Sequence, residues 1–267
     1  MADESMIRNL AAQASAIWPQ ERVLFERYGL GGRIQVADIG CGSGEITARL
    51  AERYPEAQLV GIDILESSVA YARRKYHSLA PRVRFEQGDA FDLQLGNAEF
   101  DLATCRHMTQ AIPEPEKVLA ELNRILKPGG WMHVLSEDYG MLHMPAGAVD
   151  PDRLWHEGAI AYARNTGTDA RVGRRTWTLM NKQGLEDLRV DYVIVDTNRV
   201  PRDAFASIIE AWRDGYAGHF DKESALRPGE ARALFDHAIA TIRDPAQYAV
   251  WHVPVISGRK PRRRSTE

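Results

Sequence analysis

The stretch Asp38-Ile39-Gly40-Cys41-Gly42-Ser43-Gly44 limits what this chain can fold into more than any other. Three alternate glycines follow directly on the apolar run 34–39, and they let a ligand approach the backbone closely. Ile46 and Leu50 then put one apolar stripe on a helix. The same order repeats down the chain. Runs 59–63, 83–87, 100–105 and 131–135 read as strands, while 67–79 and the Val118, Leu119, Leu122, Ile125, Leu126 face read as helices. Strands alternating with helices at this spacing predict an α/β fold with a mostly parallel sheet covered on both faces. Runs 190–196 and 248–257 bring the expected strands to seven. Residues 5–28 read as an N-terminal helix that Pro19 breaks or restarts; 151–166, 172–183 and 203–243 read as helical outside the alternation, the last interrupted by Gly215, Gly218 and the Arg227-Pro228-Gly229 turn.

The loop narrows the ligand. A P-loop needs Lys and Ser/Thr after its last glycine, and here Glu45 and Ile46 follow. A dinucleotide site needs G-x-G-x-x-G, and Glu45 stands where the third glycine belongs. Asp38 and Glu45 would also repel a diphosphate. A ligand with no phosphate and a positive end suits an acid beside the loop. S-adenosylmethionine (SAM), with its ammonium and sulfonium, is such a ligand. Two rivals stay in view: a catalytically silent SAM- or nucleotide-binding sensor, and an NAD(P)-dependent oxidoreductase.

VADIGCGSG at 36–44, GID at 61–63, GDA at 88–90, FDLATC at 100–105 and ILKPGG at 125–130 stand in one order. Together they resemble the motifs of the class I SAM-dependent methyltransferases, strongly over 34–137 and more loosely beyond. The resemblance implies a Rossmann-like, doubly wound, mostly parallel seven-stranded sheet, with an N-terminal helix and helical lid insertions. It implies one domain over 1–267: a helical lid over 1–33, a SAM-binding core over 34–139, lid insertions and final strands over 140–257, and a basic tail over 258–267.

It also assigns site residues. Asp38, Gly40, Gly42 and Gly44 form the loop. Asp63, at the end of the second strand, takes the ribose hydroxyls, and Ile64 covers an adenine face. Asp89 accepts from the adenine amine while the Ala90 N–H bonds a ring nitrogen. Arg106 pairs the methionine carboxylate, and Gln20, or its neighbour Glu21, reaches the methionine end from the N-terminal helix. The spent cofactor is S-adenosylhomocysteine.

The acceptor is narrowed mostly by exclusion. Cys105-Arg106-His107-Met108-Thr109-Gln110 is not the run of an amino-methylating DNA enzyme, nor a double-glutamate loop. A catechol-type metal site would need an acid after the fourth strand, so no metal is expected, although Glu137 and Asp138 follow the fifth. Lys plus Arg is 34 against 37 for Asp plus Glu, a formal net charge of −3, which argues against wrapping nucleic acid by bulk charge. No apolar run is long enough to span a membrane, the N-terminus lacks a signal-peptide pattern, and only Cys41 and Cys105 are present. A cytoplasmic protein acting on a small molecule, without nucleic acid or membrane partners, is the expectation. Association into a homo-oligomer is compatible with the sequence. Trp155, Tyr162, Trp177, Trp212 and Tyr216 in the insertions suit a flat or apolar acceptor, aromatic or heterocyclic, methylated on C, N or O. Glu137, Asp138, Tyr139, His143 and His107 are polar groups at the strand ends. Tyr139 and His143 are the two expected to act on the acceptor, by positioning shared between them rather than as one essential base.

Overall fold

The structure is a computed structural model that describes residues 4–147 and 149–262. It contains eight strands: β1 (Gln35–Ile39), β2 (Gln58–Asp63), β3 (Val83–Gln87), β4 (Phe100–Arg106), β5 (Leu126–Leu135), β6 (Leu142–His143), β7 (Glu186–Asp196) and β8 (Val250–Arg259). They form one sheet in which β3, β2, β1, β4 and β5 run parallel and β8 turns antiparallel against β5. β7 pairs with β8 along its other edge, while the two-residue β6 sits beside β5 on the first edge. The seven expected strands are all present; β6 adds an eighth too short to leave a periodic signal.

Alternation in the central strands assigns side chains to the two faces. Val36, Leu59 and Leu102 pack against α2 (Glu45–Arg53) and α3 (Glu66–Lys75). Ala37, Val60 and Ala103 turn to the other face, under α4 (Pro115–Ile125) and α6 (Gly173–Lys182). Both faces are dry, which is why these strands carry continuous apolar runs. Outside this core lies a second one. It is built by α7 (Arg202–Glu223), α8 (Glu230–Arg243) and a π-helical turn, Leu154–Ala159, that runs into α5 (Ile160–Asn165). The helical stretch 203–243 is two helices, split at the expected Arg227-Pro228-Gly229 turn, while Gly215 and Gly218 lie inside α7 without interrupting it.

α1 (Glu4–Glu21) does not break at Pro19. The ring falls in the last turn, the helix runs two residues past it, and a short 3-10 helix, Leu24–Tyr28, follows. The expected tail begins inside the sheet, since Gly258 and Arg259 belong to β8. Lys260 Nζ donates to the carbonyls of Asn123 and Leu126 at the end of α4, so this part of the tail caps a helix. Residues 263–267 of the expected tail lie outside the described residues.

Candidate active site

The glycine loop leaves the carboxyl end of β1 with Gly40 at φ +75° and Gly42 at φ +51°, a region that side-chain-bearing residues rarely adopt. Space is as tight as geometry. A Cβ on Gly42 would fall 2.6 Å from Leu10 of α1, and one on Gly40 would fall 2.8 Å from the Met108 sulfur. Backbone donors knit the loop down, with Gly40 and Cys41 both donating to the Ile62 carbonyl. Asp63 completes it: one carboxylate oxygen accepts from the Gly42 N–H at 2.8 Å and the other from the Leu65 N–H at 2.9 Å. Ile64 and Leu65, directly beyond, are 63% and 54% exposed, an unusual placement for aliphatic side chains. Asp89 lies close in the sheet order, exposed, with its carboxylate accepting from Phe91 N–H across the intervening Ala90.

Asp38 is buried beneath the loop. Hydroxyls of Thr47 and Thr104 donate to its two oxygens at 2.6 and 2.9 Å. Burial nevertheless raises its carboxyl above the usual range. Asp38 and Gly40 line a small pocket with Leu10, Gln13, Ser43, Arg106 and His107. In this pocket Gln13 Oε1, Ser43 Oγ and His107 Nε2 are buried without a hydrogen-bond partner. Polar atoms are rarely left in that condition unless a ligand completes them. Sequence reasoning missed Gln13, which belongs to no motif, and passed over Ser43 inside the glycine loop; only the packing of α1 over the loop brings the two together.

Two expected cofactor contacts are corrected. Gln20 turns away from the loop: its amide donates to the Ile194 carbonyl at 2.8 Å and accepts from the Ile194 N–H, so it finishes the free edge of β7. Arg106 does line the loop pocket, but its Nε and Nη2 are committed to Glu21, each at 2.7 Å. His133 adds a 3.0 Å bond to the same carboxylate, and its other nitrogen meets the Tyr28 hydroxyl at 2.7 Å. Burial alone would raise Glu21; the Arg106 charge and the His133 bond outweigh it and hold the carboxyl down at about 2.

The acceptor end divides likewise. A cavity of about 460 Å³ opens past β4 and β5, with Gln110, Tyr139, Trp155, Tyr162, Trp212 and Tyr216 among its walls. Four of the five expected insertion aromatics are here; Trp177 instead sits on an outer face, 40% exposed. Tyr139 packs edge-on to Trp212, with ring centroids 5.2 Å apart. His143 is not in the wall: it lies on β6, exposed, with its ring facing His252. The expectation that it shares the acceptor with Tyr139 is corrected, because pairing β6 to β8 carries it past the cavity. Asp138 is spoken for by Arg174, which donates to both carboxylate oxygens, at 2.6 and 2.9 Å.

His107 lines the loop pocket and pairs with Glu137, two residues before Tyr139 of the cavity wall. Nδ1 of His107 lies 2.5 Å from Glu137 Oε1, and the two side chains are 7% and 2% exposed. His107 holds φ +54°, a left-handed conformation, with its N–H bonded to the Leu135 carbonyl. Glu137 reaches the cavity electrostatically. Burial first, and then its charge, push the Tyr139 hydroxyl well above the usual range and raise Tyr216 in the same way.

Residues 36–130 match the methyltransferase domain family. The chain is 41% identical over 100 residues to trans-aconitate 2-methyltransferase of Deinococcus radiodurans, a match spanning 38% of this chain and 36% of that one. It is 36% identical over 164 residues to ubiquinone biosynthesis O-methyltransferase of Pseudomonas aeruginosa, spanning 55% of this chain and 68% of the relative. Among solved structures, phosphoethanolamine N-methyltransferase 2 of Haemonchus contortus, in complex with S-adenosyl-L-methionine, superposes with a TM-score of 0.60 at 18% identity, covering 96% of this chain and 57% of that one. The [4+2]-cyclase SpnF superposes at 0.55 and 23% identity, over 90% and 80% of the two chains. These structures share the fold, and the family match over 36–130 takes in the glycine loop and the strands from β1 into β5. By descent as well as by architecture, the chain belongs to the class I SAM-dependent methyltransferases.

Proposed function

We propose that the protein transfers the methyl group of SAM to a neutral small molecule bound in the aromatic cavity. The observation that carries this reading is the adjacency of two unlike pockets at the carboxyl ends of the strands. One is a glycine-loop pocket with unpartnered polar atoms, and the other a cavity whose described lining residues carry no charge. The loop residues fit the cofactor. Gly40, Gly42 and Gly44 bring backbone close to it; Asp63, with lone pairs to spare beyond its two backbone bonds, takes the ribose hydroxyls. Ile64 and the loop Asp89-Ala90 flank the adenine, and Gln13 and Ser43 serve the methionine end beside Asp38. When bound, SAM supplies an electrophilic methyl on a sulfonium. The chain supplies position and dryness: Tyr139, Trp155, Trp212 and Tyr216 clamp a flat acceptor and exclude water.

Labelled SAM offered with a panel of ring-containing acceptors tests the reading. Methyl transfer to at least one neutral member is expected, and binding without turnover across the panel would favour a sensor. Asp63→Ala should weaken S-adenosylhomocysteine binding by on the order of 1.5–3 kcal/mol for each strong bond lost. It should do so without unfolding the protein, although the buried Gly42 N–H loses its acceptor while the exposed Leu65 N–H turns to water. Unchanged affinity by calorimetry would sink the ribose assignment. Turnover is expected to survive EDTA. Among the described residues no three His, Cys, Asp or Glu side chains converge as a metal site, and Asp138 is already claimed by Arg174. Loss on chelation, restored by Mg²⁺, would overturn that expectation.

A further inference from the structure

We propose that His107 is the general base of the reaction, held in place by Glu137, and that the acceptor is therefore a ring-borne hydroxyl. The inference rests on the methyl-transfer reading and deepens it. The short contact fixes the imidazole tautomer. An ionised Glu137 oxygen 2.5 Å from Nδ1 accepts, so in the neutral imidazole Nδ1 carries the proton and Nε2 presents its lone pair. That Nε2 is buried and has no hydrogen-bond partner, and the residue lines the glycine-loop pocket. The backbone around it is bent to produce this placement. His107 takes a left-handed φ of +54°, and strain of this kind persists only where surroundings enforce it. Here β5 enforces it through the Leu135 carbonyl, and Gln110 bonds the His107 carbonyl at 2.8 Å from the far side. Gln110 itself lines the acceptor cavity, so three residues of chain join the two pockets.

The uncharged cavity wall selects the acceptor. No charged side chain of the wall would pair an ammonium or a carboxylate, whose entry costs several kcal/mol of desolvation, and the Glu137 charge behind Tyr139 further repels the carboxylate. A carboxylate would also need no base. A neutral hydroxyl on a flat ring fits the walls, meets the Tyr139 hydroxyl as a hydrogen-bond partner, and needs its proton removed as it attacks. In the step, the hydroxyl proton passes to His107 Nε2 as the oxygen bonds the methyl carbon. The carbon–sulfur bond breaks and its electron pair stays on sulfur. Glu137 balances the imidazolium until the proton leaves to solvent. Glu137 is thus a positioning residue, acting on the acceptor only through His107.

The test has an arm without turnover. In ¹⁵N-histidine-labelled protein alone, the Nδ1–H of His107 should give a far-downfield proton resonance that vanishes in Glu137→Gln. Its absence from the wild type overturns the dyad. In the activity arm, His107→Ala should lower kcat by about 10²–10⁴ with acceptor KM little changed, and S-adenosylhomocysteine affinity is measured beside it because His107 also lines the loop pocket. Added imidazole should restore part of the rate, which a structural defect would not allow. His107→Asn, close in size, guards against misfolding and should lose the rate equally. A wild-type rate in either variant, or no rescue, removes the base. Acceptors sharing one ring and bearing a hydroxyl, an amine or a carboxylate complete the set. Transfer to the hydroxyl oxygen supports the assignment. Transfer only to the amine or the carboxylate refutes it while leaving methyl transfer itself intact, and no transfer to any acceptor fails the parent reading instead.

Discussion

Glu21→Ala is expected to destabilise the fold by about 3–5 kcal/mol, the usual result of leaving a buried charge without its partner. In a chain of this size the melting temperature should fall by on the order of 10 °C. The reason is the company Glu21 keeps. It is fully buried, it accepts both forks of the Arg106 guanidinium, and it accepts from His133, which in turn takes the Tyr28 hydroxyl. One carboxylate therefore ties the end of α1 and the following 3-10 turn to β4 and β5, beneath the glycine loop. Removing it strands a guanidinium inside the protein. Glu21→Gln keeps an acceptor for His133 but not the charge, so it should cost less than alanine and still more than a surface change. Acid gives a second signature. The folded carboxyl sits at about 2, below its ordinary 4.5, so its contribution is whole above about pH 4.5 and is lost as pH falls toward 2. Urea midpoints measured from pH 6 to pH 3 should fall more steeply for the wild type than for Glu21→Gln. Parallel slopes would mean that the carboxyl is not held low and that the network is decorative.

How much of this was legible beforehand follows the range of each interaction. The first five strands, the loop and the acid at Asp63 are written in local pattern: period-2 apolar runs, alternate glycines, an Asp closing a strand. The partners of the polar side chains are not. Arg106 is committed 85 residues back in the chain, at Glu21, and Gln20 finds its partner 174 residues on, at Ile194. No spacing rule connects such pairs, and motif logic assigned both residues to a ligand instead. His143 and His107 make the same point from opposite sides. His107 directly follows β4 and His143 comes eight residues after β5, yet two residues of β6 pairing take His143 out to solvent while a positive φ turns His107 inward. Neither turn leaves a compositional mark, because a left-handed histidine is set by what surrounds it and not by the residue itself.

Trp212→Ala should cost about 3–5 kcal/mol and also change which acceptors are used, and the two effects have different origins. The indole is buried on α7 in the middle of an aromatic cluster, 5.1 Å from the Trp251 ring, 5.2 Å from Tyr139 and 6.1 Å from Trp155, centroid to centroid. The stability loss comes from that packing. It should fall toward the lower end of the range, because the vacated space joins an existing cavity on one side and need not stay an isolated void. The kinetic change comes from the wall. With the indole gone the cavity widens next to Tyr139, so a small flat acceptor loses its clamp and KM should rise, while a bulkier ring should gain relative to it. Affinity for S-adenosylhomocysteine should hold, since Trp212 lines the cavity and not the loop pocket. Phe205→Ala separates the terms. Phe205 is fully buried in the same outer core but takes no part in the cavity wall, so it should lose comparable stability with acceptor preference unchanged. Thermal melts with KM for two ring sizes decide the matter. If both variants shift acceptor preference alike, the cavity is not where the acceptor binds, and softening of the outer core is enough to explain any change in rate.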